Sequence, residues 1–234
     1  MNWWRRLFRK VPHLSPGQQA RVEHYVHRAP PDLKHSFRAT RFVVVDVETT
    51  GLRPYHDRLI AIGAIPVEEN LVSLEESFEV VLRQAKPSSN GNILLHGIDG
   101  TTQVSGRDPA EALIDFLDFA GKDVLVGFHA NFDRVMITRA TRKALGIELE
   151  NRWLDLAVLT PELLPERARG ASTLDDWTER LGIENPARHN AIADALVTAQ
   201  LLQVTLAAAR ERRLASGADL VEIERAGRWL EAHR

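Results

Sequence analysis

Two acidic residues two positions apart, Asp46 and Glu48, follow the apolar run Phe42-Val43-Val44-Val45 in the segment Val45-Asp46-Val47-Glu48-Thr49-Thr50-Gly51. Residues i and i+2 of a strand share a face, so both carboxylates stand side by side where the strand leaves the core. At roughly 4 Å and an effective dielectric near 20 they repel by about 4 kcal/mol, and they need a cation or a shared proton. The chain has no cysteine, and ligands that are all oxygens suit a hard cation such as Mg²⁺ or Mn²⁺. Gly51, after two threonines, marks a tight turn where backbone can approach a ligand. On its own, an Asp-x-Glu at a strand end is an ordinary pair of solvated acids.

Two further segments carry acids of the same kind. Asp133 lies in Gly127-Phe128-His129-Ala130-Asn131-Phe132-Asp133, after a short apolar run and at the start of a helical pattern. That places it near the carboxyl end of a strand, where open α/β sheets bind ligands. Alone, it reads as a first-turn acid complementing the helix dipole. The third segment is Arg188-His189-Asn190-Ala191-Ile192-Ala193-Asp194-Ala195. Five positions are about 500° of helix, so His189 and Asp194 share no helical face. A helix beginning near Asn190 leaves His189 in the incoming loop and Asp194 in the first turns, and both can then reach one site. An imidazole titrating near neutrality beside a carboxylate-held metal is a candidate proton acceptor.

The elements that must position these residues alternate along the chain. Arg41–Val47, with its β-branched run, has strand length. Leu59–Val67 and Leu71–Leu82 read as two strands of a hairpin joined by Glu68-Glu69-Asn70, with Glu75-Glu76 on its solvated surface. Pro109–Ala120 has helical periodicity closed by Gly121, and Val124–Phe128 is a short buried strand before a helix over roughly 132–145. Leu154–Leu164, Thr173–Leu181, Ala191–Arg213 and Leu220–Leu230 read as helices, with Trp153, Trp177 and Trp229 as core positions on helical segments. Ahead of all these, Ser15 caps a helix to about Ala29, with Pro16 at its first position, Gln18 completing a capping box, and Pro30-Pro31 ending it. Strands alternating with helices around one early hairpin predict an α/β fold, a mixed sheet covered by helices on both faces.

The three acidic segments resemble, in order, the three exonuclease motifs of the DnaQ-like (DEDDh) 3′–5′ exonucleases, the family of the bacterial DNA polymerase III proofreading subunit, RNase T and oligoribonuclease. Asp46-Val47-Glu48-Thr49-Thr50-Gly51-Leu52 matches the first motif, Phe132-Asp133 the second, and His189-x-Ala191-x-x-Asp194-Ala195 the third. His96-Gly97-Ile98 matches a supporting element. The likeness covers roughly residues 41–205, with a basic helical extension over 1–40 and a helical C-terminal extension over 206–234. It departs in the second motif: Phe128 stands where the family has His, and His129 where it has Asn.

The resemblance implies a ribonuclease-H-like mixed sheet of about five strands, one antiparallel, flanked by helices. It implies two divalent cations, Mg²⁺ or Mn²⁺, held by Asp46, Glu48, Asp133 and Asp194, with His189 as general base. The implied reaction is hydrolysis at the 3′ end of single-stranded DNA or RNA, releasing nucleoside 5′-monophosphates. Thr49, Thr50, Gly51, Leu52, His96 and Phe132 would hold the terminal nucleotide. The rivals are an RNase T- or oligoribonuclease-type RNA exonuclease, a silent binding module of the same fold, and an assembly subunit docking onto a polymerase or other nucleotidyl-transfer partner. A silent module would be expected to lose a metal carboxylate, and all four are present.

The 234 residues carry 30 Lys+Arg against 32 Asp+Glu, but the charge is divided. Residues 1–41 hold nine basic and two acidic residues, net +7, and residues 42–234 hold 21 and 30, net -9. A basic arm of this kind often marks an interaction tail. Trp3, Trp4, Leu7, Phe8 and Val11 recur in it at helical spacing between Arg and Lys. A protein partner is the favoured reading and a membrane-surface contact the less favoured one. The longest uncharged run, Ala195 to Ala209, has 15 residues including Thr and Gln, short for a spanning helix. Residues 1–11 lack the apolar stretch of a secretory signal. The chain reads as cytoplasmic.

Overall fold

The structure, a computed structural model, describes residues 13–185 and 187–233; the aromatic-basic pattern at 3–11 lies outside them. Its sheet consists of β1 (Phe42–Thr49), β2 (Leu59–Glu68), β3 (Leu71–Val72), β4 (Phe78–Val81), β5 (Val124–Gly127) and β6 (Trp153–Asp155). The order is β3-β2-β1-β5-β6, with β4 also on β2. Pairs β1–β5 and β5–β6 are parallel, and β2 is antiparallel to β1, β3 and β4. One strand, β2, therefore runs against all the others, as the ribonuclease-H-like reading implies.

The sheet has six strands rather than about five because the expected strand Leu71–Leu82 is broken. Its two pieces both pair with β2, and between them a turn closes with the Ser77 N–H donating to the Leu74 carbonyl at 3.1 Å. Leu74, 56% exposed, and the adjacent Glu75-Glu76 have no place against the core.

The helices are α1 (Pro16–His27), α2 (Asn90–His96), α3 (Gly100–Ser105), α4 (Pro109–Ala120), α5 (Asn131–Ala144), α6 (Leu156–Leu163), α7 (Leu174–Leu181), α8 (Ala191–Glu211) and α9 (Gly217–Ala232). Strand periodicity divides the core between two layers. Val43, Val45 and Val47 pack with Leu113, Phe116 and Leu117 of α4 and with Met136 and Ile137 of α5. Phe42 and Val44 pack on the other face with Leu159 of α6 and Ala195, Ala199 and Leu202 of α8. Among the described helices, α8 alone is long and apolar enough to cross a membrane, and 61% of that stretch is buried inside the protein.

Both flanking helices join this body. Ser15 and Gln18 form the expected capping box on α1. Tyr25 of α1 is 2% exposed; its hydroxyl donates to Asn151 Oδ1 at 2.7 Å and accepts from the Glu150 N–H at 3.1 Å. Gly227 lets α9 lie on α6, since a Cβ there would come within 2.9 Å of Val158 Cγ1.

Further expectations are corrected. The segment read as a helix from Leu154 begins as strand β6, and the helix starts at Leu156 because the Asp155 carboxylate caps it, accepting from the Ala157 N–H at 3.1 Å. Trp153 consequently sits on a strand. Trp177 is buried as expected, whereas Trp229 is 60% exposed, stacked on His233 with ring centres 4.4 Å apart. The short helices α2 and α3 lack the apolar periodicity that sequence reading relies on; side-chain caps from Ser89 and Asp99 hold their first turns.

Candidate active site

On β1 the face turned to α8 changes from apolar to acidic. After Phe42 and Val44 come Asp46 and Glu48, paired across the ladder with Gly63 and Ala61 of β2. These small partners make room for the start of α8. A Cβ on Gly63 would overlap the Ala191 carbonyl and lie 2.5 Å from Ile192 N. The close approach delivers Asp194, in the first turn of α8, to the two acids of β1. Carboxylate oxygens of Asp46, Glu48 and Asp194 all lie within 4.8 Å of one another.

Asp194 is held from both sides. The Asn185 side-chain amide donates to one oxygen at 2.6 Å, and the His189 backbone N–H donates to the other at 2.9 Å. His189 has φ 57°, a left-handed conformation that costs a non-glycine residue on the order of 1–3 kcal/mol and recurs at functional sites. The loop carrying it is tied to α7 by the Arg188–Asp175 ion pair, and α7 is anchored by Trp177, 1% exposed. His189 itself is half-buried.

Asp133 arrives from the opposite layer. It lies in the first turn of α5, 5% exposed, where the backbone N–H groups of Asp133 and Val47 favour its ionised form. Burial still pushes its carboxyl up to about 8, with Asp155 and Glu48 adding to the rise. Burial holds Asp46 well above the usual carboxylate range, and the neighbouring Asp133, Glu48 and Asp194 raise it further. Glu48 is pushed up to about 7 by burial and by Asp194. Among the described residues, none of these four acids forms an ion pair with Lys, Arg or His. An oxygen-only cluster whose ionisation is penalised by burial and mutual repulsion, with no basic partner, fits divalent cations.

The loop after β1 is fixed around Asp57. Its carboxylate accepts from the Arg53 N–H at 2.8 Å and from the Thr50 hydroxyl at 3.2 Å, and these bonds keep its carboxyl below the usual range, the Arg53 N–H most of all. A Cβ on Gly51 would come 2.8 Å from Asp57 Oδ2, so a larger residue would displace the carboxylate that fixes the loop. The Thr49 hydroxyl donates to the Gly51 carbonyl at 2.7 Å. Arg139 of α5 donates to the carbonyls of Pro54 and Asp57, clasping the loop to the helix that carries Asp133. Leu52 at its tip is 85% exposed. Phe132 is half-buried against the α4/α5 core.

His96, expected to contact the nucleotide, is instead 3% exposed. Its Nδ1 accepts from the Ile98 N–H at 3.0 Å, and its Nε2 lies 3.4 Å from the Ser88 hydroxyl. With both ring nitrogens engaged, it holds the α2–α3 turn. At the departures in the second motif, Phe128 packs on the α8-side core. His129, exposed and at φ 57°, places its Nε2 3.3 Å from the Ser172 carbonyl.

Three residues of the site escaped the sequence reading. Gly63 sits inside an apolar strand run, where a lone glycine signals close backbone approach. Asn185 stands in a polar loop with no motif around it. Asp155 follows two apolar strand residues, as Asp46 follows its own run, and that parallel could have singled it out.

The exonuclease family model matches residues 43–202. The PolC-type DNA polymerase III of Thermotoga petrophila is 31% identical over 166 residues, covering 71% of this chain and 12% of that protein. The DNA polymerase III subunit epsilon-like protein of Rhodobacter capsulatus is 32% identical over 193 residues, covering 81% of this chain and 27% of that one. The chain thus spans only a minor part of the curated relatives it matches. In three dimensions, E. coli exonuclease I in complex with a dT13 oligonucleotide superposes with a TM-score of 0.61 at 20% identity, covering 74% of this chain and 42% of the other. The shared fold is the ribonuclease-H-like one.

Proposed function

Since the chain belongs to the exonuclease family, we propose that it is a metal-dependent 3′–5′ exonuclease that removes nucleoside 5′-monophosphates from a single-stranded 3′ end. The observation that carries this reading is the convergence of Asp46, Glu48 and Asp194 within 4.8 Å, without a basic partner among the described residues and with Asp133 at its border. Asp46, Glu48, Asp133 and Asp194 would hold two divalent cations, Mg²⁺ or Mn²⁺. Such ions, when bound, supply charge compensation and acidify water.

The remaining chemistry belongs to side chains of this chain. His189, on the loop end beside Asp194, accepts the proton of the attacking water, a contribution typically worth about 10²–10⁴ in rate. The water oxygen bonds to phosphorus, the bond from phosphorus to the 3′ oxygen breaks, and the 3′ oxygen is protonated from solvent. The fixed backbone of Thr49-Thr50-Gly51, exposed Leu52 and half-buried Phe132 receive the terminal nucleotide. His96 supports that surface from behind.

The single-stranded end is supported by the small acidic site, which admits one unpaired terminus more readily than a duplex. The names of the PolC-type and epsilon-like DNA polymerase III relatives favour DNA as the substrate and a second role beside a polymerase; the basic residues that precede β1 would be the docking segment. Asp46→Ala should abolish Mg²⁺- or Mn²⁺-dependent mononucleotide release from single-stranded DNA, short RNA and 3′-mismatched duplex alike. Equal release by variant and wild type overturns the catalytic reading, and a preference for very short RNA overturns the role beside a DNA polymerase.

A further inference from the structure

A cleft of about 480 Å³ opens at the free edge of β6, between the first turns of α5 and helix α9. Four arginines line it, Arg134, Arg152, Arg225 and Arg228, against two glutamates, Glu150 and Glu224. The surplus of two positive charges stands on a body whose residues 42–234 sum to -9. Both glutamates already have partners: Glu150 pairs with Lys122 at 2.8 Å and Glu224 with Arg228 at 2.8 Å. Arg134, Arg152 and Arg225 are exposed, and their guanidinium groups form no ion pair among the described residues. Trp153, 8% exposed, forms part of the wall, and its indole N–H lacks an acceptor. Three exposed arginines without an ion-pair partner around one concavity favour a polyanion.

The cleft shares helix α5 with the acidic site. Asn131 and Arg134, three residues apart on α5, turn one helical face to the cleft, and Asp133 between them belongs to the catalytic cluster. Arg228 reaches from the cleft to Asp155 at 3.2 Å, the residue that ends β6 at the sheet edge. The α9 wall lies beyond the 43–202 span matched by the family model. We propose that this cleft carries the phosphodiester backbone of the single strand upstream of the bond being cut. The proposal rests on the exonuclease reading of the neighbouring site. It would give the chain a strand-holding surface where its acidic body otherwise repels phosphate.

The test is fluorescence anisotropy with a labelled single-stranded oligothymidylate in EDTA, so that no strand is cut, over a series of salt concentrations. Each arginine–phosphate contact contributes about 0.7 to the slope of log affinity against log salt for a single strand. The double variant Arg152→Ala/Arg225→Ala should therefore lower the slope by about 1.4 and weaken binding at low salt. A control of equal charge loss at and just past the C-terminal end of α8, Arg210→Ala/Arg213→Ala, should leave the slope unchanged. An unchanged slope in the cleft variant, or an equal fall in the control, overturns the proposal; an acidic polypeptide would then be the better occupant. Because binding is read without cleavage, the two ideas fail separately. A wild-type chain that binds with the full slope but never releases nucleotide sinks only the exonuclease reading. One that cuts while the cleft variant keeps its slope sinks only the cleft.

Discussion

Replacing Glu48 with Gln should stabilise the metal-free protein while disabling it. In the folded chain burial and Asp194 push the Glu48 carboxyl from 4.5 to about 7, so its ionisation opposes folding. Below the unfolded value both states are protonated and nothing is lost. As pH rises from there, the unfolded chain ionises first and stability falls, until the folded group ionises near 7 and the loss is complete. At 1.36 kcal/mol for each pH unit the penalty reaches about 3 kcal/mol. For a chain of this size that corresponds to roughly 6–12 °C in melting temperature. Glu48→Gln keeps the shape and removes the charge. In EDTA at about pH 8 the variant should therefore melt higher than wild type by that margin, and at about pH 4 the two should coincide. The assay is calorimetry or circular-dichroism melting at both pH values. A variant that melts lower than wild type at the higher pH, or a difference that ignores pH, would refute the idea that uncompensated charge is stored at this site.

Gly63→Ala should drive the start of α8 off β2, costing about 1–3 kcal/mol in chemical denaturation and most of the activity, because Asp194 moves with it. Activity equal to wild type would show that the close approach is dispensable. Removing the amide that steadies Asp194, in Asn185→Ala, should weaken Mn²⁺ binding by about 10–100-fold in titration calorimetry, and undiminished affinity would remove Asn185 from the site. Tyr25→Phe leaves Asn151 Oδ1 without its donor and the Glu150 N–H without its acceptor, so urea unfolding should show a loss of about 1–3 kcal/mol. No loss would detach α1 from the stability of the body.

Sequence made the sheet and its acids legible for one physical reason: both are periodic. The alternation in β1 that sends Val43 and Val45 to one core layer sends Asp46 and Glu48 to the other face, and the i, i+2 rule reads this directly. The capping box at Ser15 is equally local. What stayed hidden depends on partners far along the chain. The 71–82 segment carries strand-forming residues at both ends, and the polar stretch Ser73-Leu74-Glu75-Glu76-Ser77 between them, with Leu74 exposed, turns and breaks it in two. Trp229 fits a helical pattern, yet its side chain is 60% exposed and stacks on His233 rather than on the core. His96 looks like a site residue by motif, and its burial beneath the α2–α3 turn follows from its contacts with Ile98 and with Ser88, which no motif includes. Asn185 owes its importance to Asp194, nine positions away across a loop. The Arg-lined cleft draws on α5, β6 and α9, three elements whose meeting at one sheet edge is a matter of topology alone.

The exonuclease assignment is tested most directly by digesting a 5′-labelled single-stranded oligonucleotide with Mg²⁺ or Mn²⁺ and following the label over time. Cleavage by the Asp46/Glu48/Asp133/Asp194 site from the 3′ end should give a ladder of labelled strands shortening one nucleotide at a time. The ladder should vanish in EDTA and in Asp194→Asn. Release of the label as a mononucleotide at the outset, or a ladder that persists in Asp194→Asn, would contradict it.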